Sequence, residues 1–501
     1  MNLVKINNSS RDKARLVSIK NNKKPADQFL FYLYLSLWIW MPLPFGSNRI
    51  WAISIIEITL FLLSIYWLLL YIQGKVQFNK TFQSAKTPII LFLLFIAWSL
   101  IQSVPLPIEF LKVISPTAAQ IHLDLAETFN LPLHYATISM SPYYSNGKTL
   151  LSFSYFLIFC LTLLLINSRQ RLKLLAIIII GCGLFQAVYG SLMTLSGVEH
   201  GFFIEKKFYR NVATGHFINS NHLAGYLELC LAMGIGLLLS TLHKTPAHHW
   251  REVLRRLIHT LLGSKIKLRI ALVLMVIALV LTHSRMGNSA FFASFSIMGI
   301  IYLFLVKNPP RSVIYLFISL ILIDVLIVGT WFGLEKIIEQ IEQIEVIIQD
   351  IPQKSNNPLH KSIQIVNETR DEAYKDTRKI IMDFPLTGTG GGTYANIFIQ
   401  YQSPPYYGFY DHVHNDYLEF LVEYGVIGLS LLMIIVILAF SNALITIKKH
   451  PSRLRKGIAF SSAMGIMAIM IHSTADFNLQ IPANAALFVL FLALSWVVAR
   501  R

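Results

Sequence analysis

The chain has 501 residues, 54% of them apolar, with mean hydropathy +0.56 and a formal charge of +17. Apolar runs of about 20 residues recur along it, the length a helix needs to cross a bilayer, so a soluble globular enzyme is excluded. The positive charge does not call for a nucleic-acid partner, because polytopic membrane proteins gather Lys and Arg in their cytoplasmic loops.

Residues 1–28 are polar and basic and read as a cytoplasmic tail with no cleavable signal. Twelve spans are then expected, at roughly 29–48, 51–73, 88–105, 149–167, 172–197, 222–242, 269–284, 288–306, 313–334, 416–446, 457–473 and 483–499. The fold class is therefore an all-α polytopic membrane protein of about 12 transmembrane helices, nine within 29–334 and three within 416–499. With the N-terminus inside, the inside segments carry Lys75, Lys80, Lys86, Arg169, Arg171, Lys448, Lys449, Arg453 and Arg455 among their many bases. That distribution fits the positive-inside rule with both ends cytoplasmic. In a diderm bacterium that outside is the periplasm, where nucleotides are not expected.

The largest outside segment, 335–415, has structure of its own. Ile337, Ile341, Ile344 and Ile348 recur at helical spacing, so Glu335–Asp350 reads as an amphipathic helix. A second helix is expected from about Val366 to Phe384, ended by Pro385. The run TGTGGGT, Thr387–Thr393, lacks the Gly-Lys-Ser/Thr ending of a phosphate loop and reads as a flexible turn, with backbone N–H groups available to an anion. Cys160, Cys182 and Cys230 all fall in apolar runs, without metal-ligand spacing or a disulfide framework.

The unusual polar residues all fall on the outside. Arg210 precedes the sixth span, Arg285 lies between two spans, and Arg370 and Tyr374 share a helix face in the large loop. His412, His414, Asn415 and Asp416 close that loop, and His472, Asp476 and Asn478 form the last outside turn. Arg285 needs an anionic partner or an aqueous cavity, or else snorkels to the interface. Its fork of donors suits phosphate oxygens. His414 can exchange a proton near neutral pH, the alternative being a helix-start histidine with Asn415 or Asp416 as cap. His412, His414 and Asp416 would alternate on one side of an extended segment as metal ligands do, but the segment turns helical there, so neither metal nor cofactor is expected. The aromatics from Tyr394 to Tyr410 read mainly as an interfacial belt. Glu57 and Asp324 are intramembrane carboxylates without an evident partner.

These motifs carry a resemblance. SRMG after an apolar span, a large exterior loop, GTGGGTY and then HVHNDYLEFLVEYGVIG, with RNVATGHFINSNHLAGY upstream and HSTADFNLQIPANA downstream, resemble the O-antigen ligase and polymerase (Wzy-C) superfamily over roughly residues 200–490. The resemblance implies a GT-C-like, metal-independent, inverting glycosyltransferase. Its donor would be an undecaprenyl-diphosphate-linked glycan, and its acceptor lipid A-core or another glycan. Arg210 and Arg285 would hold the diphosphate and His414 would assist the acceptor hydroxyl, with Arg370 in support. His412, Asn415, Asn221, His472 and Asp476 would contribute to substrate binding. Met286 stands where the superfamily often has a small residue. Polymerases and protein O-oligosaccharyltransferases share these signatures. A transporter of lipid-linked glycans would instead show inverted repeats and charge near the midplane.

Overall fold

The computed structural model describes residues 25–198, 200–201, 204–206, 208–241, 265–307, 373–403 and 410–499, with isolated residues between 309 and 318. Most of the ninth expected span, the Glu335–Asp350 segment, Asp324 and Arg370 lie outside the described residues.

The bundle helices, in chain order, are α1 (Gln28–Trp40), α2 (Ile50–Ile72), α3 (Lys86–Gln102), α4 (Pro142–Leu165), α5 (Arg169–Ser196) and α6 (Ser220–Thr241). They continue with α7 (Lys265–Leu281), α8 (Arg285–Leu305), α9 (Asp416–Lys449), α10 (Arg453–His472) and α11 (Pro482–Ala499). Eight of them, α2, α4, α5, α6, α8, α9, α10 and α11, are long and apolar enough to cross a membrane. α1 and α3 are shorter apolar helices, and α7 is a 17-residue helix starting at Lys265. Each coincides with an expected span. The remaining expected span, 313–334, lies mostly outside the described residues, so a total of twelve is not established.

The core is unlike that of a soluble bundle. α6 and α11 are buried almost all round, whereas α2 exposes Ile58, Leu62, Ile65 and Leu69. In lipid the exposed face needs no cover, and association rests on close packing. α6 and α10 form the most extensive helix pair. Gly236 and Gly457 face each other there, and a Cβ on either would strike the other's carbonyl oxygen. Small residues at such contacts let helix backbones approach.

The described loops sort to two ends. At one end Arg171, opening α5, makes two 2.7 Å hydrogen bonds to Asp27 just before α1, with its guanidinium 4.7 Å from the Phe31 ring centroid. Asn79 donates to the last carbonyls of α4 there, and Arg169 and Arg455 share a small cavity. The other end carries the polar residues and a helical cap. The cap is built from Ile108–Ile114, Pro116–Thr128, helical residues 373–383 and Tyr394–Tyr401. Phe384, Tyr394, Ile397, Phe398 and Val413 form its own apolar core with Ala118 and Val422. The helix expected to stop before Pro385 ends at residue 383.

Candidate functional site

The site is organised by a break in α9. Gly425 has φ 64°, ψ −174° inside an otherwise continuous helix. A break frees backbone groups that must find new partners, most of all where lipid is near. Here the partners come from residues 385–390 together with Gln102 and Trp98. Thr389 N–H donates to Val422 O at 2.8 Å and Gly390 N–H to Glu423 O at 2.9 Å. Beyond the break, Val426 N–H donates to Pro385 O, and Ile427 N–H to Leu386 O. Gln102 Nε2 donates to Thr387 O and Glu423 O, and Trp98 Nε1 to Tyr424 O. After the break, Val426–Lys449 at 1.5 Å per residue still reaches about 36 Å, enough to cross the hydrocarbon alone.

The segment expected to be a flexible turn is therefore a fitted joint. Gly388, Gly390 and Gly392 all have positive φ, and the N–H groups of Gly388, Thr389 and Gly390 are bonded to protein carbonyls. They are not on offer to an anion. A Cβ on Gly388 would lie 2.5 Å from the Glu423 carbonyl group, at φ +67°. Gly388→Ala is expected to destabilise by about 2 kcal/mol or more, from strain and clash together. Denaturant unfolding of the purified protein in detergent checks it, with Gly147→Ala, where a Cβ meets nothing within 4 Å, as the control.

His414 sits where the cap chain enters α9. It is one of few non-glycine residues with positive φ (56°), a costly conformation that persists only when its surroundings over-determine it. They do so here. Asn415 caps the helix by accepting from Leu418 N–H and donates to Thr474 O. Tyr374 OH donates to His414 O. Asp416 N–H reaches the carbonyls of Ser473 and Asp476, and its Oδ2 accepts from Ser473 Oγ and Leu479 N–H. The His414 ring stands edge-on to Phe477, and the His412 ring stacks on that same ring at 4.2 Å.

Behind His414 lies a buried acid–base chain. His414 Nδ1 donates to Asp476 Oδ1 at 3.2 Å. Asp476 Oδ2 is 3.9 Å from His472 Nε2, and His472 Nδ1 donates to Glu228 Oε1 at 2.7 Å. The side chains of His472 and Glu228 are fully buried, while His414 remains 21% exposed. Burial alone would raise the Asp476 carboxyl. The hydrogen bond from His414 and the nearby His222 and His472 outweigh it and hold Asp476 well below the usual carboxylate range. An ionised Asp476 fixes the proton of a neutral His414 on Nδ1 and leaves Nε2 as a proton acceptor.

His412 is the second histidine of the site. Its Nδ1 donates to Glu419 Oε1 at 2.6 Å, and Glu419 Oε2 accepts from Val413 N–H. Burial disfavours the imidazolium, but the Glu419 charge and this bond outweigh it, so the His412 pKa is raised. A raised folded value contributes stability that is complete below the ordinary histidine pKa of about 6.5 and is lost as pH rises through the folded value. Thermal unfolding from about pH 6 to 9 should therefore fall more steeply in the native protein than in His412→Gln. Equal slopes would show that the pair is not ionic. His412, His414 and Asp416 each engage a different partner, so the alternation seen in the sequence does not gather them around one point.

Beside this cluster a groove runs into the bundle between α3, α4, α9, α10 and α11, with ≈ 1040 Å³ of open space. Its walls are Phe92, Leu151, Leu432, Met433, Phe488 and Leu492, and its polar end is formed by Lys148, Asp416, Ser473 and Gln480.

The expected residues are thus only partly brought together. His412, His414, Asn415, His472 and Asp476 form one connected cluster, and Tyr374 supports it. Asn221 lies at the start of α6, next to His222, whose ring packs against Phe477. Arg285 opens α8 on the same end of the bundle. A Cβ on Gly287, two residues on, would touch Ala224 and approach Glu228. Arg210 is exposed and turned onto its own loop, pairing with Glu205 at 2.7 Å and with Lys206 O. That loop is tied to the end of α7 by Ala213 N–H to Leu281 O. Sequence reasoning missed Glu228, Glu419 and Lys148. Glu228 gave a signal, a lone carboxylate inside the apolar run LAGYLELCLAM, of the kind that already singled out Glu57 and Asp324.

Fold and site together define a polytopic helical membrane protein with a buried acid–base chain capping one end, next to a groove lined by apolar side chains. Residues 270–433 match the O-antigen ligase family. The matched third of the chain includes Arg285, the glycine joint, His412 and His414, and it supports the resemblance to the O-antigen ligase superfamily. That family implies, in general terms, glycosyl-transfer chemistry on lipid-linked glycans and their acceptors. No curated protein matches the chain.

Proposed function

We propose that this protein is a ligase that transfers a glycan from undecaprenyl diphosphate to lipid A-core or a similar acceptor, at the periplasmic face of a bacterial inner membrane. The observation that carries the reading is the His414–Asp476 pair, held at the end of a membrane bundle with His414 Nε2 left to accept a proton. The acceptor hydroxyl attacks the anomeric carbon of the donor sugar as its proton passes to His414. The bond from that carbon to the diphosphate oxygen breaks, and its electron pair leaves with the diphosphate. Attack opposite the leaving group inverts the anomeric centre, as in a GT-C-type enzyme, and neither metal nor nucleotide enters the step.

Arg285 and Arg210 stabilise the charge that develops on the diphosphate, with Arg370 in support. Arg210 must then exchange Glu205 for the diphosphate, which an exposed ion pair allows, since such pairs are worth about 1 kcal/mol or less. His412, Asn415 and Asn221 contact sugar in this reading. His472 and Asp476 are fully buried, so their part is to orient His414.

Loss of the gene in its native host tests this reading on surface-glycan gels. Long chains retained on the carrier and absent from the acceptor support a ligase. Acceptor capped by single repeat units would make it a polymerase of the same superfamily. An unchanged ladder overturns both.

A further inference from the structure

We propose that the small cavity between the starts of α5 and α10, at the end of the bundle away from His414, binds the phosphate of an anionic phospholipid. The cavity has ≈ 310 Å³ of open space, and Thr81, Ser168, Arg169, Leu172, Arg455 and Val497 are among its lining residues. The two helices that begin there open alike. Ser168-Arg169-Gln170-Arg171 starts α5, and Ser452-Arg453-Leu454-Arg455 starts α10. Each helix N-terminus carries roughly half a positive charge, so two of them beside two guanidinium groups repel unless an anion lies between. The protein offers little to play that part. Among the described residues of this end Asp27 is the sole acid, and Arg171 takes both its oxygens. Arg455 Nη1 donates to His450 Nε2 at 3.4 Å, a bond that supplies no negative charge. Ser168 Oγ caps α5 by accepting from Arg171 N–H, but Ser452 makes no such bond to α10.

Thr81, in the short helix Lys80–Ser84, is an independent sign of a ligand. It is 3% exposed and lines the cavity, yet its hydroxyl has no hydrogen-bond partner among the described residues. Buried hydroxyls are normally paired. A phosphate oxygen accepts from Thr81 Oγ1 as it accepts from Arg169 and Arg455. The positive-inside bias explains why bases gather at this end, but not why a buried hydroxyl lines one cavity with them. The rest of the wall indicates the source of the phosphate. Ile166, Leu172 and Val497 make it partly apolar. A free phosphate ion gains nothing from them, whereas the glycerol and first methylenes of a lipid bury against them. Basic recesses between membrane helices hold acidic lipid head groups in this way. One phosphate held there joins the start of α5 to the start of α10, the helix that ends at His472.

The lipid retained by the full chain tests the assignment without any transfer assay. The protein is placed in nanodiscs of equal phosphatidylglycerol and phosphatidylcholine, and the lipids that stay bound are measured by native mass spectrometry. Phosphatidylglycerol should be retained at least about fivefold over phosphatidylcholine, and Arg169→Gln with Arg455→Gln should abolish the preference. Lys448→Gln with Lys449→Gln removes the same charge at the same end but outside the cavity, and should leave the preference intact. Thr81→Val alters no charge and should lower it about threefold, which keeps the test open if the double-arginine variant does not fold. An absent preference in the native protein would overturn the proposal. So would an equal loss in the lysine and arginine variants, the mark of general attraction to surface charge. Displacement of phosphatidylglycerol by inorganic phosphate at millimolar concentration would make the ligand a soluble anion and overturn its assignment as lipid.

Discussion

His414→Ala should reduce glycan transfer by roughly 10²- to 10⁴-fold, the range for loss of a positioned general acid–base group. The fold should survive, because the side chain is one-fifth exposed and, among the described residues, hydrogen-bonds to Asp476 alone. Relief of the positive φ at this residue even favours Gly over Ala there, so His414→Gly should be at least as stable as His414→Ala while equally inactive. Asp476→Asn should fall in the same range for a different reason. An amide cannot hold the imidazole proton on Nδ1 as a carboxylate does, so Nε2 is no longer reliably the acceptor. Arg285→Ala removes a preorganised cation and should cost about 10²- to 10³-fold in kcat. Groups acting on one step are not additive, so His414→Ala combined with Asp476→Asn should be little worse than His414→Ala alone. The assay is transfer of a fluorescent lipid-linked glycan by purified protein at matched expression. Normal rates in His414→Ala would remove the histidine from the chemistry.

Much of the architecture was legible because membrane insertion is a one-dimensional rule. Apolar length fixes spans, and it reads directly from the chain. The helix at 373–383 was legible for a local reason, the proline that ends it. The glycine run was not. Its residues forecast freedom, and the structure uses the same lack of side chains to seat a strand of backbone against the Gly425 break. The break itself was invisible because α9 has apolar residues on both sides of Gly425, and a single glycine does not announce an extended conformation at positive φ. His412 and His414 drew notice as residue types, but their different roles depend on which carboxylate each meets. Glu419 is seven residues from His412, while Asp476 is sixty-two from His414. The second pairing is a fact of tertiary structure, and no periodicity carries it. For the same reason Lys148, near the start of α4, could not be connected with Gln480 before α11.

The Glu228–His472 pair should dominate stability as His414 dominates rate. Both side chains are fully buried in the contact between α6 and α10, where Gly225 also gives way to Asn478. Glu228→Leu leaves His472 Nδ1–H buried without its acceptor, and breaking such a pair from one side costs about 3–5 kcal/mol. Glu228→Gln keeps an acceptor oxygen at the same reach and removes only the charge, so its loss should be nearer about 1–2 kcal/mol. Replacing both members by Leu removes the stranded donor, and most of the stability should return. Transfer should not return with it. His472 Nε2 stands 3.9 Å from Asp476 Oδ2, close enough to act on it by charge without a hydrogen bond, so the double Leu variant should fold yet work slowly, with a lower kcat and an unchanged KM for the donor. Denaturant titration in detergent, paired with steady-state kinetics, separates these outcomes. If the double variant recovers full kcat along with its stability, the buried pair serves packing alone and the working unit ends at Asp476.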